Sequence, residues 1–220
     1  MTPRHVAERA PVWRGGLILA VLAALCTALV AYTHRLTAER IAENERAFLR
    51  QSLQPVLADL DYDSDTDASV LLIPAPNELP GSGPTTVYRV FNDSRPVAAL
   101  FVVTATKGFS GPIKLLVGIG ADGRVSGVRV LQHHETPGLG DLIEVSKSDW
   151  IRQFAGTSLD DPARGGWAIR RDGGEFDQLT GASITPRAVI EAIKQTLLYF
   201  EAHREEVFRI KDERKDDAAP

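Results

Sequence analysis

The chain has 220 residues, 44% of them hydrophobic and 25% charged, with a formal net charge of -4 at pH 7. That supplies one globular domain with a sizeable core and something extra, and the acidic balance argues against a nucleic-acid partner. The single cysteine, Cys26, lies in an apolar run near the N-terminus, so the rest of the chain can form neither a disulfide nor a thiolate metal site.

That run, Gly16 to Tyr32, carries no charge. A bilayer core needs about 20 apolar residues and at least about 17, so the segment predicts a transmembrane helix over 16–33. A cleaved signal peptide usually has an apolar core of only about 7 to 15 residues, and Leu29-Val30-Ala31 makes a poor cleavage site. Arg4, Arg9 and Arg14 precede the span. Positive flanks stay inside, so residues 1–15 are expected in the cytoplasm and residues 34–220 outside.

Residues 34–84 read as a linker. A charged helix with Ile41, Ala42, Phe48 and Leu49 on one face runs to Pro55, followed by the acidic loop ADLDYDSDTDASV and the loop PAPNELPGSGP. The aspartates lack the glycine and final glutamate of a calcium loop, so a solvated loop is the expectation. From 86 to 132, TVYRVFN, PVAALFVVTA, IKLLVGIG and RVSGVRVLQ predict four strands, with Asp122-Gly123 turning a hairpin. KSDWIRQFAG predicts a helix with Ser148 as N-cap and Gly156 as stop, and GWAIRR another strand. The last helix is expected to begin at Pro186, with Thr185 as N-cap, an Ile184–Val189 staple, and a buried stripe of Val189, Ile190, Ile193, Leu197 and Phe200. The fold class is therefore α+β: an N-terminal transmembrane helix, then one mixed α/β domain with an antiparallel sheet over 85–209, and a charged tail at 210–220.

Two stretches carry candidate chemistry. In DQLTGASIT, Ser183 sits just ahead of a helix start, where unpaired N–H groups and the dipole attract phosphate. Gly181 and Ala182 leave the hydroxyl approachable, and Asp177 is placed to bind a metal or hold the turn. The plain alternative is a loop whose serine and threonines satisfy their own backbone. In LQHHETPGLGD, His133 and His134 point to opposite faces of a strand and are not expected to share a metal. The glycines of TPGLG predict a tight turn on which a flat ligand can lie.

DQLTGASIT resembles the flavinylation motif Asp-x-x-Ser/Thr-Gly-Ala-Ser/Thr of the FMN-binding domain family, and HETPGLGD looks like that family's second hallmark. Within the family the chain is most similar to components of the Rnf electron transport complex. The resemblance implies FMN joined through a phosphoester to Ser183, where threonine is usual. It also implies attachment by a separate Mg²⁺-dependent flavin transferase that uses FAD and releases AMP. Asp177, Gly181 and Ala182 would serve the encounter with the transferase, Thr180 would support the turn and Thr185 cap the helix beside the cofactor, with Arg187 offered to a phosphate oxygen. Glu135, Thr136, Gly138, Leu139 and Gly140 would neighbour the ring. No metal site is implied. The implied role is an electron carrier in a bacterial inner-membrane complex that couples ferredoxin and NAD to ion movement. Its partners would be the other subunits, its FMN domain would be periplasmic, and it would have no independent catalytic activity. The alternatives are the equivalent FMN-bearing component of the sodium-pumping NADH:quinone reductase and an anchored periplasmic binding module without cofactor.

Overall fold

The computed structural model describes residues 12–56, 69–93 and 95–209, with side chains undescribed at 12, 14 and 38–55. Arg4 and Arg9, most of the acidic run, the tail at 210–220 and the side chains of the linker-helix face lie outside the described residues. The chain divides into two units between Phe48 and Leu49.

Helix α1 runs from Val12 to Val56. Its apolar part, Gly15–Thr37, is 23 residues long and none of it is buried. At about 1.5 Å per residue, that length crosses a hydrocarbon core of about 30 Å. The span exceeds the expected 16–33 chiefly at its C-terminal end. There Thr33 and Thr37 turn their hydroxyls onto the carbonyls of Leu29 and Thr33, as Thr27 does onto Ala23, which lowers the cost of a hydroxyl in an apolar setting.

The second unit is built on one antiparallel sheet in the order β1-β2-β3-β4-β5. Its strands are β1 (Ser69–Ile73), β2 (Thr85–Asn92), β3 (Arg95–Ala105), β4 (Ile113–Gly120) and β5 (Val125–Gln132). The four expected strands form, and Asp122-Gly123 turns β4 into β5 with Gly123 N–H on the Gly120 carbonyl. Strand β1 falls within the stretch expected to be linker. It is short and sits at the sheet edge, pairing only with β2, so it lacks the long β-branched run of a central strand.

Strand alternation sends Val87, Phe101, Val103, Leu115 and Val117 to one face. Helix α2 (Ile184–Val207) lies on that face, burying Val189, Ile190, Ile193, Leu197 and Phe200. Phe101 meets Phe200 edge to face at 6.2 Å, a favoured aromatic geometry. At the far end of α2, buried Arg89 of β2 donates from Nη1 to the carbonyls of Arg209 (2.8 Å) and Val207 (3.4 Å). A cation there satisfies orphan carbonyls and complements the helix dipole.

The opposite face buries Val90, Ala98, Leu100 and Leu116 with Val56, the last residue of α1. Val56 lies directly over Gly118 and Gly127, and a Cβ on Gly118 would overlap Val56 Cγ1 and crowd Ser126 Oγ at 2.5 Å. Gly118→Ala is therefore expected to cost about 1–3 kcal/mol, the usual range for overpacking. A thermal melt of the detergent-solubilised protein checks this.

Between β5 and α2 the expected helix and strand do not form. Trp150–Phe154 is a 3-10 turn, and Arg164–Gly166 and Arg170–Asp172 are two more. Ser148 is not the N-cap, a place taken by Asp149, although its Oγ accepts the Trp150 N–H. GWAIRR contributes only a bridge from Ile169 to Phe176. The aromatic spacing that suggests regular elements instead builds a cluster. Phe154 lies 5.2 Å from Trp150 and 4.8 Å from Phe176, which lies 4.9 Å from Trp167. The glycines at 165, 166, 173 and 174 keep the chain turning around it.

Candidate functional site

Three segments meet at the N-terminal end of α2. The loop after β3 carries Phe109 and Ser110, the turn after β5 carries 135–141, and the third is 177–185. Buried Glu135 joins them: its Oε1 accepts the Ser110 N–H at 3.1 Å and its Oε2 accepts the Thr185 hydroxyl at 2.6 Å. Both carboxylate oxygens are thus occupied by donors from different segments, which compensates the burial of a charged group.

The helix starts two residues earlier than expected. Ser183 is the N-cap residue (φ -93, ψ -24) and Ile184 the first helical residue. Thr185 is not the cap, because it stands inside the first turn with its hydroxyl drawn to Glu135. Ile184 is half exposed rather than stapled over Val189. The N-cap side chain makes no capping hydrogen bond, so the Ser183 hydroxyl stands at the positive end of the helix uncommitted to it.

The Thr136 carbonyl accepts hydrogen bonds from the N–H groups of Leu139 (3.2 Å) and Gly140 (3.0 Å), and Asp141 Oδ1 accepts the Gly138 N–H at 2.7 Å, which closes the TPGLG turn. Gly181 has φ +81, and a Cβ there would come within 2.8 Å of Leu139 Cδ2. Only glycine lets Leu139 lie so close to the TGAS backbone in that left-handed conformation.

A cavity of about 310 Å³ results, lined by Phe109, Glu135, Thr136, Leu139, Gly140, Gly181, Ala182, Ser183, Ile184 and Thr185. It brings together most of the residues singled out in the sequence. Phe109 and Ile184 join them without having been singled out as ring neighbours. Phe109 is an exposed aromatic within KGFSG, a signal available in the sequence but hidden by the neighbouring strands.

Four of the expected site residues lie outside the cavity wall. Gly138 shapes the turn and Thr180 is exposed. Asp177 is pinned as a turn residue: its carbonyl accepts the Trp150 indole N–H at 2.6 Å, its N–H donates to Gln153 at 2.7 Å, and its carboxylate meets Arg170 at 3.0 Å. Arg187, expected to face a phosphate, makes a two-pronged pair with Asp172 at 2.6 and 2.9 Å. Among the described residues no cluster of ligating side chains could hold a metal ion.

Behind Glu135, its own N–H donates to His133 Nδ1 at 3.0 Å, and His133 Nε2 faces Glu144 at 2.6 Å. Nδ1 is therefore the acceptor and Nε2 carries the proton given to Glu144. The hydrogen bond from His133 holds the Glu144 carboxyl below its ordinary value; burial opposes this and Ser146 adds to it. A depressed folded value means stability that is present above the unfolded value of about 4.3 and lost as pH falls through the lower folded value. The stability gap between wild type and Glu144→Gln should accordingly narrow through that acidic window, as read by thermal melts across pH.

An apolar helix long enough to cross a membrane, followed by a cavity built on a helix start and the Thr-Gly-Ala-Ser turn, fits a membrane-anchored FMN-binding domain protein. The FMN-binding domain family matches residues 108–198, and the RnfG N-terminal region matches residues 1–56. The chain is 39% identical over 206 residues to the G subunit of the ion-translocating oxidoreductase complex of Pseudoalteromonas atlantica, covering 94% of this chain and 96% of that one. The proteins of the same description from Pseudomonas aeruginosa (43% over 199 residues; 90% and 93%) and Photorhabdus laumondii (45% over 188; 86% and 90%) are similar throughout. The chain belongs to the RnfG family, the G subunits of ion-translocating oxidoreductase complexes.

Proposed function

We propose that this chain is the electron-carrying subunit of an Rnf-type ion-translocating ferredoxin/NAD oxidoreductase complex, relaying electrons through FMN esterified to Ser183. The observation that carries the reading is the free N-cap hydroxyl of Ser183 on the wall of an apolar cavity, with Gly181 and Ala182 beside it. The residues present fit the group. The start of α2 offers unpaired N–H groups and positive potential to a phosphate, and the cavity offers Leu139 and Ile184 to a ring.

When bound, FMN supplies electron transfer that no side chain here provides. The chain's own part is to position it. Glu135 locks the first turn of α2 to the strand-following turn, Leu139 covers the motif, and the Arg187–Asp172 pair braces the helix start from outside. Maturation is an exchange at phosphorus. Ser183 Oγ bonds to the flavin-side phosphorus of FAD, the pyrophosphate bond breaks, AMP leaves, and the hydroxyl proton passes to base or solvent. A Mg²⁺-dependent flavin transferase is the partner for that step.

The arginines ahead of the span support a cytoplasmic N-terminus and a periplasmic FMN domain in the bacterial inner membrane. The partners are the other subunits of the complex, and the chain has no turnover of its own. The test is a denaturing gel of membranes from cells that also make the transferase. A flavin-fluorescent band at the mass of this chain is expected, and a dark band would leave an anchored binding module as the better reading.

A further inference from the structure

The Glu135 carboxylate has little room. A Cβ on Gly108 would come within 2.8 Å of its Oε1, and a Cβ on Gly140 within 2.8 Å of its Oε2. Two glycines, one from the loop after β3 and one from the TPGLG turn, thus leave a slot for it. The position of the Glu135 backbone therefore decides whether the carboxylate reaches both of its donors, the Ser110 N–H and the Thr185 hydroxyl.

That backbone is held from one side chain away. Strand β5 ends at Gln132, so its ladder does not extend to Glu135. The Glu135 N–H goes instead to His133 Nδ1 at 3.0 Å, and a buried N–H deprived of its acceptor is costly. A neutral imidazole accepts at Nδ1 when its proton sits on Nε2. Here Glu144 Oε1 takes the Nε2 proton at 2.6 Å, and Ser146 Oγ steadies Glu144 Oε2 at 2.9 Å. Only 12% of the His133 side chain is exposed, so water offers little replacement for either bond.

We propose that His133 is a positioning residue for the flavin on Ser183. This rests on the attachment of FMN at Ser183. The Nδ1 lone pair, oriented by Glu144, sets the Glu135 backbone. Glu135 in turn sets Thr185 in the first turn of α2 and the Ser110 backbone beside Phe109. His133 does not line the cavity, so its influence on the cofactor passes through Glu135.

The test separates the two ring nitrogens. Asparagine at 133 keeps an acceptor where Nδ1 stands, suited to the N–H two residues on, and gives up the reach to Glu144. Glutamine keeps a donor where Nε2 stands and gives up the acceptor. His133→Asn and His133→Gln are made in the full-length chain, matured with the transferase and purified in detergent, with intact mass confirming flavin on each. The readout is the visible circular dichroism per attached flavin, which a planar ring acquires from fixed, asymmetric surroundings. His133→Asn is expected to keep the wild-type signal and His133→Gln to lose it several-fold. A purely structural role would lower the two alike. Equal loss in both, or a wild-type signal in His133→Gln, overturns the proposal while leaving the attachment intact. Should His133→Gln not accumulate, a changed signal in His133→Asn overturns the proposal by itself, and an unchanged one upholds the Nδ1 acceptor. A wild type that carries no flavin by mass overturns the attachment, and the positioning role with it.

Discussion

Ser183→Ala is expected to abolish covalent flavin completely. Co-produced with the transferase, wild type should gain the mass of FMN less one water, and the variant should gain nothing. Ser183→Thr keeps a hydroxyl at the same place and should still be modified. Loss of fold does not explain the predicted loss of flavin. A serine-to-alanine change at an N-cap costs about 0.5–2 kcal/mol where the side chain caps the helix, but this hydroxyl makes no capping bond, so the cost belongs at the bottom of that range. A melting curve of Ser183→Ala close to that of wild type, together with an unmodified mass, isolates the missing oxygen. Persistent flavin on Ser183→Ala would move the attachment elsewhere, with Thr180 the nearest exposed hydroxyl in the motif.

The largest effect on stability is expected at Glu135. Removing its carboxylate by Glu135→Ala deletes two hydrogen bonds to a charged acceptor and leaves the Ser110 N–H and the Thr185 hydroxyl without that partner. Hydrogen bonds to charged groups are worth about 1.5–3 kcal/mol each, and a stranded partner adds its own desolvation cost. A loss of about 3 kcal/mol is the minimum expected, or a fall in Tm of roughly 6–12 °C for a domain of this size. Combining Glu135→Ala with Thr185→Val should cost less than the sum of the two, since both remove the same bond. Urea denaturation of the four proteins measures the coupling, and strict additivity would mean that the Thr185–Glu135 bond contributes nothing to stability.

These two residues also show where the sequence is legible. The span, the four long strands, the hairpin at Asp122-Gly123 and the buried stripe of α2 follow from periodicity and turn chemistry, which are local. The TPGLG turn is legible because glycine spacing is local as well. What escapes depends on contacts between distant segments. Thr185 reads as a cap until Glu135, fifty positions earlier, takes its hydroxyl. Arg187, read as facing a phosphate oxygen, also pairs through Nε and Nη2 with Asp172, fifteen positions earlier, a contact that no local pattern announces. The aromatics at 150, 154, 167 and 176 suit a helix and a strand, but they pack on one another, and the chain between them turns to allow it. Strand β1 stays hidden in the sequence because an edge strand needs only one neighbour and little sequence bias.

Helix α2 is held at both ends, by a carboxylate from the segment after β5 at its beginning and by the Arg89 guanidinium from β2 at its finish. Between those two anchors the helix is kinked at His203 (φ -120, ψ 17). On the proposed attachment, an FMN carried at Ser183 would hang from the first turn that Glu135 anchors, so its point of suspension would keep one place within the domain.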